Sequence, residues 1–179
     1  MPTAQDVFKD WHEFYLLAGT AAAALIALLF VAASIGAGVM SPERASATRI
    51  YMSPVIFHFT SILFISLIVL VPSHPRELHT ALIALNAVAG AAASIVICKR
   101  VFVGARGPSE VDWIDWLAYG VSPVLAYVGA FAAAVLLFPN STLAPDLLAG
   151  SVLVLLVANI RNAWDITLVM ARRRNTSPQ

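Results

Sequence analysis

Apolar residues along the chain gather in five blocks, approximately 15–39, 53–71, 79–98, 116–138 and 146–171, with short polar stretches between them. Each block reaches the roughly 20 residues that cross about 30 Å of hydrocarbon as a helix. The pattern predicts an all-α polytopic membrane protein, a five-transmembrane-helix bundle with helices over approximately 4–39, 53–71, 79–98, 110–138 and 143–172. Five crossings put the termini on opposite sides. The connections and tails are too short to bury a core of their own, so residues 1–179 read as a single transmembrane domain.

Local signals sharpen these elements. TAQD fits a capping box with Thr3 at the cap and Asp6 three residues on, and Phe8, Trp11 and Tyr15 follow at helical spacing as an interfacial anchor. Gly19, Ala23 and Ala27 predict a small-residue face on the first helix, where another backbone can approach closely. Ser53 and Pro54 read as the cap and first turn of the second helix. Ala84, Ala87, Ala91 and Ser94 suggest that the third helix sits centrally. SEVD, with Ser109 and Asp112, reads as the cap of the fourth helix, Glu110 and Asp115 suit its positive dipole end, and Trp113 and Trp116 mark its entry into the interface. Pro123 then removes one backbone donor and predicts a kink. Ser141 or Thr142 caps the fifth helix, with Pro145 in its first turn.

Composition agrees with the pattern. Hydrophobic residues make up 60% and charged residues 12%, with a mean hydropathy of +0.83, far from the one-quarter charged residues of a soluble domain. Acidic residues in the opening MPTAQDVFKDWHEF stand where a signal peptide carries bases, so the first span reads as retained. A net charge of +1 with bases scattered beside the spans argues against a nucleic-acid partner; the lipid bilayer is the expected environment. Arg44, Arg49, Lys99, Arg100, Arg106, Arg172, Arg173 and Arg174 fall on one face and only Lys9 and Arg76 on the other. The positive-inside rule therefore predicts an outer N-terminus and a cytoplasmic C-terminus.

Candidate chemistry lies inside the apolar blocks. LLVANIRNAWDITLVMARRR carries Arg161 and Asp165, and each ionised group near mid-bilayer costs roughly 2.5–3.5 kcal/mol on insertion scales. At about 100° per residue, Ser151, Ala158, Arg161, Asn162 and Asp165 share one arc, opposite Leu153, Leu156, Ile160, Ala163 and Trp164. His58, Asn86 and Ser122, with Ser34 and Ser94, are expected at similar depth, giving a polar layer of Arg161, Asp165, Asn162, His58, Asn86 and Ser122 in the cytoplasmic half. One account makes Arg161 and Asp165 a buried lock between helices. The other makes the layer the lining of a hydrated cavity or pore for a small ion, where Arg161 attracts anions, Asp165 tunes that attraction and His58 is able to sense or carry a proton.

Other chemistries lack their residues. His58 has no second histidine at its depth for bis-histidine haem. His12, His74 and His79, with Asp10, Glu13 and Glu77, read as interfacial polar residues, so no metal and no cofactor is expected. Cys98 stands alone, which excludes an intrachain disulfide and a CxxC motif. Without a Walker loop, HExxH or GxSxG the chain reads as no enzyme.

FYLLAGTAAAALIALLFVAAS, SPVIFHF and RNAWD together resemble stretches of small multi-pass bacterial membrane proteins of no assigned activity. The resemblance implies a bacterial inner membrane and brings no reaction, substrate or cofactor. The residues favour an oligomeric channel or transport component, as a homo-oligomer or with partner membrane subunits. The alternative is a non-catalytic accessory or assembly subunit of a larger membrane complex.

Overall fold

A computed structural model describes residues 7–37, 42–72, 75–104, 120–139 and 141–174, with side chains at 7–34, 53–72, 75–99, 120–139, 141–165 and 167–168. The described residues contain five α-helices and no strand. A short 3-10 turn, Lys9–Trp11, leads into α1, His12–Ala37; α2 is Pro42–Leu70, α3 Arg76–Gly104, α4 Ser122–Leu137 and α5 Leu143–Arg174. Four helical stretches are long and apolar enough to cross a membrane: Lys9–Ser34, Ser53–Leu70, Arg76–Lys99 and Leu143–Asp165. The fifth, Ser122–Leu137, is equally apolar but shorter.

Consecutive helices make the largest contacts, α1 with α2, α3 with α4 and α4 with α5. Smaller contacts of α2 with α3, and of α5 with α1 and α2, close the ring and brace it across the middle. Phe59, Ile62 and Ile65 of α2 and Leu148, Val152 and Leu155 of α5 are fully enclosed, whereas Leu17, Leu85, Leu125 and Val157 stand out from the bundle. Helices apolar both inside and outside are suited to a bilayer, which lets the outward side chains meet hydrocarbon.

Close approach depends on missing side chains. A Cβ on Gly19 would lie 2.9 Å from Ser66 Cβ, one on Gly129 2.5 Å from Ser151 Oγ, and one on Gly90 would overlap the Tyr127 ring. Each of the three largest helix pairs thus has a glycine against a side chain of its neighbour. Ala126, Ala130, Ala133 and Ala134 give α4 a shallow buried face that fits between α3 and α5.

Several sequence expectations shift. The buried face of α1 carries Tyr15, Ala18, Gly19 against Ser66, Ala22 and Leu29, while Ala23 and Ala27 face outward. The central helices are α2, which touches α1, α3 and α5, and α5, which touches α1, α2 and α4; α3 exposes Leu85, Val88, Ile95 and Val96. α2 also starts about three turns earlier than expected and carries Pro54 in its interior, so Ser53 is no cap. Charge in residues 42–52 takes the chain out of hydrocarbon without ending the helix, because Glu, Arg and Ala are good helix formers. At α4, a π turn at residues 120–121 leads into the helix and Pro123 stands in its first turn, so the kink expected there depends on preceding residues that lie outside the described ones. Ser141 Oγ accepts the Leu143 N–H at 3.3 Å and so caps α5, with Pro145 in the first turn. The expected caps at Thr3 and Ser109, and Glu110, Asp112, Trp113, Asp115 and Trp116, lie outside the described residues.

Candidate functional site

The start of α1, the end of α2 with the start of α3, and the end of α4 with the start of α5 share one end of the bundle, the turn face; the far face is opposite. Counting from the helix ends at the turn face, 1.5 Å per residue puts Ser61, Asn86, Tyr127 and His58 at depths of about 14, 15, 15 and 18 Å. These depths are about half of the roughly 30 Å that a hydrocarbon layer measures across. The same measure puts Ser122, Arg161, Asn162 and Asp165 at about 23, 27, 29 and 33 Å, towards the far boundary. The expected single layer divides into two tiers.

The middle tier is a hydrogen-bonded chain across three helices. His58 Nδ1 of α2 lies 2.9 Å from Tyr127 Oη of α4, both side chains buried, with ring centroids 5.6 Å apart. Tyr127 also hydrogen-bonds Ser61, one turn along α2 from His58. Asn86 of α3 donates from Nδ2 to Ser61 Oγ at 2.7 Å. Gly90 leaves the space that the Tyr127 ring fills, which brings the phenol within reach of the histidine. A phenol donating to Nδ1 leaves the ring proton on Nε2, and the other tautomer reverses the bond. Burying these groups in an apolar bundle without partners would cost several kcal/mol each, and the chain supplies the partners.

The far tier is arranged differently. On α5 the buried stripe Leu148, Val152, Leu155 continues as Asn159 and Asn162, both enclosed. Asn159 Nδ2 donates to Leu155 O at 2.7 Å, while its Oδ1 has no hydrogen-bond partner among the described residues. Arg161 and Asp165 sit on the other side of α5 from Leu148, Val152, Leu155 and Asn159, Nε to Oδ2 at 3.8 Å, with side chains 40% and 39% exposed. At that distance and exposure the pair is a loose i,i+4 contact. Ser122 is half-buried and makes its own contacts.

The structure therefore joins His58 to Asn86 through two residues that sequence reasoning did not single out, Ser61 and Tyr127, and sets Arg161 and Asp165 apart from them. Ser61 had a signal, standing one turn from His58 on the same helix face. Tyr127 had none, since its partner is 69 residues away. Asn159, also overlooked, sits one turn before Asn162. Ser34 and Ser94, expected in the layer, bond the carbonyls of Phe30 and Gly90 in their own helices, each at 2.8 Å. Near the turn face His79 is buried with Nδ1 3.4 Å from Pro75 O, and His74 lies outside the described residues. Among the described residues no three His, Cys, Asp or Glu side chains come close enough to share a metal. No known protein family, characterised relative or solved structure matches the chain.

Proposed function

We propose that the chain is a five-span protein of the bacterial inner membrane, N-terminus outside and C-terminus in the cytoplasm, that works as a transport component carrying protons. The orientation is supported by the sequence, whose connections and tails carry eight basic residues on one side of the apolar blocks and two on the other. Transport is supported by one observation above the rest, the 2.9 Å contact of His58 and Tyr127 at mid-depth, continued through Ser61 to Asn86. Ionisable groups at such depth mark ion paths more often than they mark packing. A side-chain chain as tightly enclosed as this one suits a proton, which can move by exchange along hydrogen bonds. Imidazole is suited to the exchange because one ring nitrogen can accept a proton while the other releases one.

The second reading, an accessory or assembly subunit, is favoured by the same chain being closed on itself, each member having a partner within the bundle. A closed chain ties α2, α3 and α4 in one register. Proteoliposomes with a trapped pH indicator separate the two. Under an imposed pH gradient the parent protein should raise proton flux above that of protein-free vesicles, and His58→Gln and Tyr127→Phe should lower it about a hundredfold, the low end of the range general acid–base groups contribute. Parent vesicles no leakier than empty ones would overturn transport and leave the subunit reading.

A further inference from the structure

We propose that α5 is the pairing surface of a homodimer, in which two parallel copies meet along Gly150, Val154, Val157 and Arg161 and cross their Arg161 and Asp165 side chains. The inference rests on the membrane reading above and not on transport.

The first observation is Gly150. Three glycines in the bundle, Gly19, Gly90 and Gly129, each receive a side chain from a neighbouring helix, whereas a Cβ on Gly150 would meet nothing within 4 Å. It stands exposed in the second turn of α5, where glycine costs a helix roughly 1 kcal/mol relative to alanine. Within its own protomer that glycine has no packing role.

The second observation is where the exposed ion pair falls. At about 100° per residue, Val154, Val157, Arg161, Trp164 and Asp165 lie within roughly 60° of Gly150 around α5. The steps of four, three and four residues from Gly150 to Arg161 are those of a helix-pairing seam. The seam points away from the bundle, for the enclosed stripe Leu148, Val152, Leu155, Asn159 occupies the opposite side of the helix. Val154, Val157 and Trp164 are exposed along it. A glycine at one end lets two backbones approach, and the charges lie about 16 Å further on.

The third argument identifies the occupant. Arg161 and Asp165 sum to zero charge, so the patch has little net attraction for an anionic headgroup and suits a partner presenting both signs. A second copy inserted in the same orientation does so. Its Arg161 lies at the same depth and Asp165 of the partner subunit about 6 Å away along the axis, within the length of an arginine side chain. A two-fold axis along the membrane normal then makes the crossed contact twice. Four Arg–Asp approaches, two within and two between copies, outweigh one Arg–Arg and one Asp–Asp approach.

The test uses the full chain in liposomes at low protein density, in a Cys98→Ala background. Val157→Cys should form an oxidative disulfide dimer readily, and the control Leu85→Cys, exposed on α3, should not. Adding Gly150→Leu to Val157→Cys should slow dimer formation about tenfold or more, because close approach drives pairing in lipid. The same change should leave the melting temperature of the protomer intact, since the space over Gly150 is open. Charge supplies an independent arm: Arg161→Glu copies carry two acids and Asp165→Lys copies two bases, so differently tagged copies expressed together should form mixed dimers in excess of a random mixture. Cross-linking at Val157→Cys no faster than at Leu85→Cys, dimer formation unchanged by Gly150→Leu, or mixed dimers at the random proportion would each overturn the pairing. Monomers that still carry protons would overturn it and leave transport standing; dimers that carry none would do the reverse.

Discussion

Replacing Tyr127 by phenylalanine removes one oxygen and keeps the ring that fills the space over Gly90. The lost oxygen is the partner of His58 Nδ1 at 2.9 Å, and it also bonds Ser61. Ser61 retains Asn86, so the penalty falls mainly on a buried imidazole nitrogen that hydrocarbon cannot solvate. An unmade buried hydrogen bond costs about 1–3 kcal/mol in proteins generally, while pairwise couplings inside membrane bundles average about 0.6 and reach about 1.7 kcal/mol. Burial of both groups argues for the upper part of the membrane range. Tyr127→Phe should therefore destabilise the bundle by about 1–2 kcal/mol. In the double variant with His58→Leu no polar atom is orphaned, so its loss should fall short of the sum of the single losses by about 1 kcal/mol. Reversible unfolding in mixed micelles, followed by the fluorescence of the four tryptophans, measures all four corners of the cycle. Independent sites add within about 0.3–0.5 kcal/mol, and a coupling no larger than that would refute the claim that the two side chains hold each other.

Three further outcomes follow from the packing and the charges. Gly90→Ala should destabilise by about 1–3 kcal/mol as the Tyr127 ring is displaced, while Gly150→Ala should be neutral or stabilise by up to about 1 kcal/mol, both read from the same unfolding transitions. Arg161→Ala should change protomer stability by no more than about 1 kcal/mol, because the pair is long and part-exposed; a loss of 3 kcal/mol or more would restore the buried lock that the sequence suggested. A reporter fused after Gln179 should read cytoplasmic in intact bacteria, and a periplasmic signal would invert the orientation.

The existence of the helices was legible because runs of apolar residues long enough to cross a bilayer are read directly from hydropathy. The facing of α5 was legible only in part: Ser151 and Asn162 are enclosed and Leu153, Ile160 and Trp164 stand out, but Leu156 and Ala163, on the same side as those three, pack against the core. Facing was not legible on α1, where AGTAAAALIALL offers small residues at nearly every angle and only contact with Ser66 settles the phase. Nor was the start of α2, because hydropathy reports where a helix leaves hydrocarbon and says nothing of where it stops being helical. At the site, His58 and Asn86 stood out as polar groups in apolar runs, but a tyrosine in such a run looks like one more large side chain. The far pair misled through depth, since Asp165 ends the apolar span of a helix that continues to Arg174 and so lies near its boundary.

The contact between His58 and Tyr127 spans 69 residues, and this separation has a consequence for biogenesis. The largest helix contacts are between neighbours in sequence, so α1 and α2 can form a hairpin soon after both have been inserted. His58 then waits for its partner. At about 5–20 residues per second, synthesis alone keeps the imidazole waiting about 3–14 s before the phenol has even been made. For that interval the newborn chain holds a polar side chain on a helix whose companion has not arrived, and the insertion machinery or an ordered water must accommodate it. The docking of α4 closes the hydrogen-bonded chain, and α5, made after it, seals the ring.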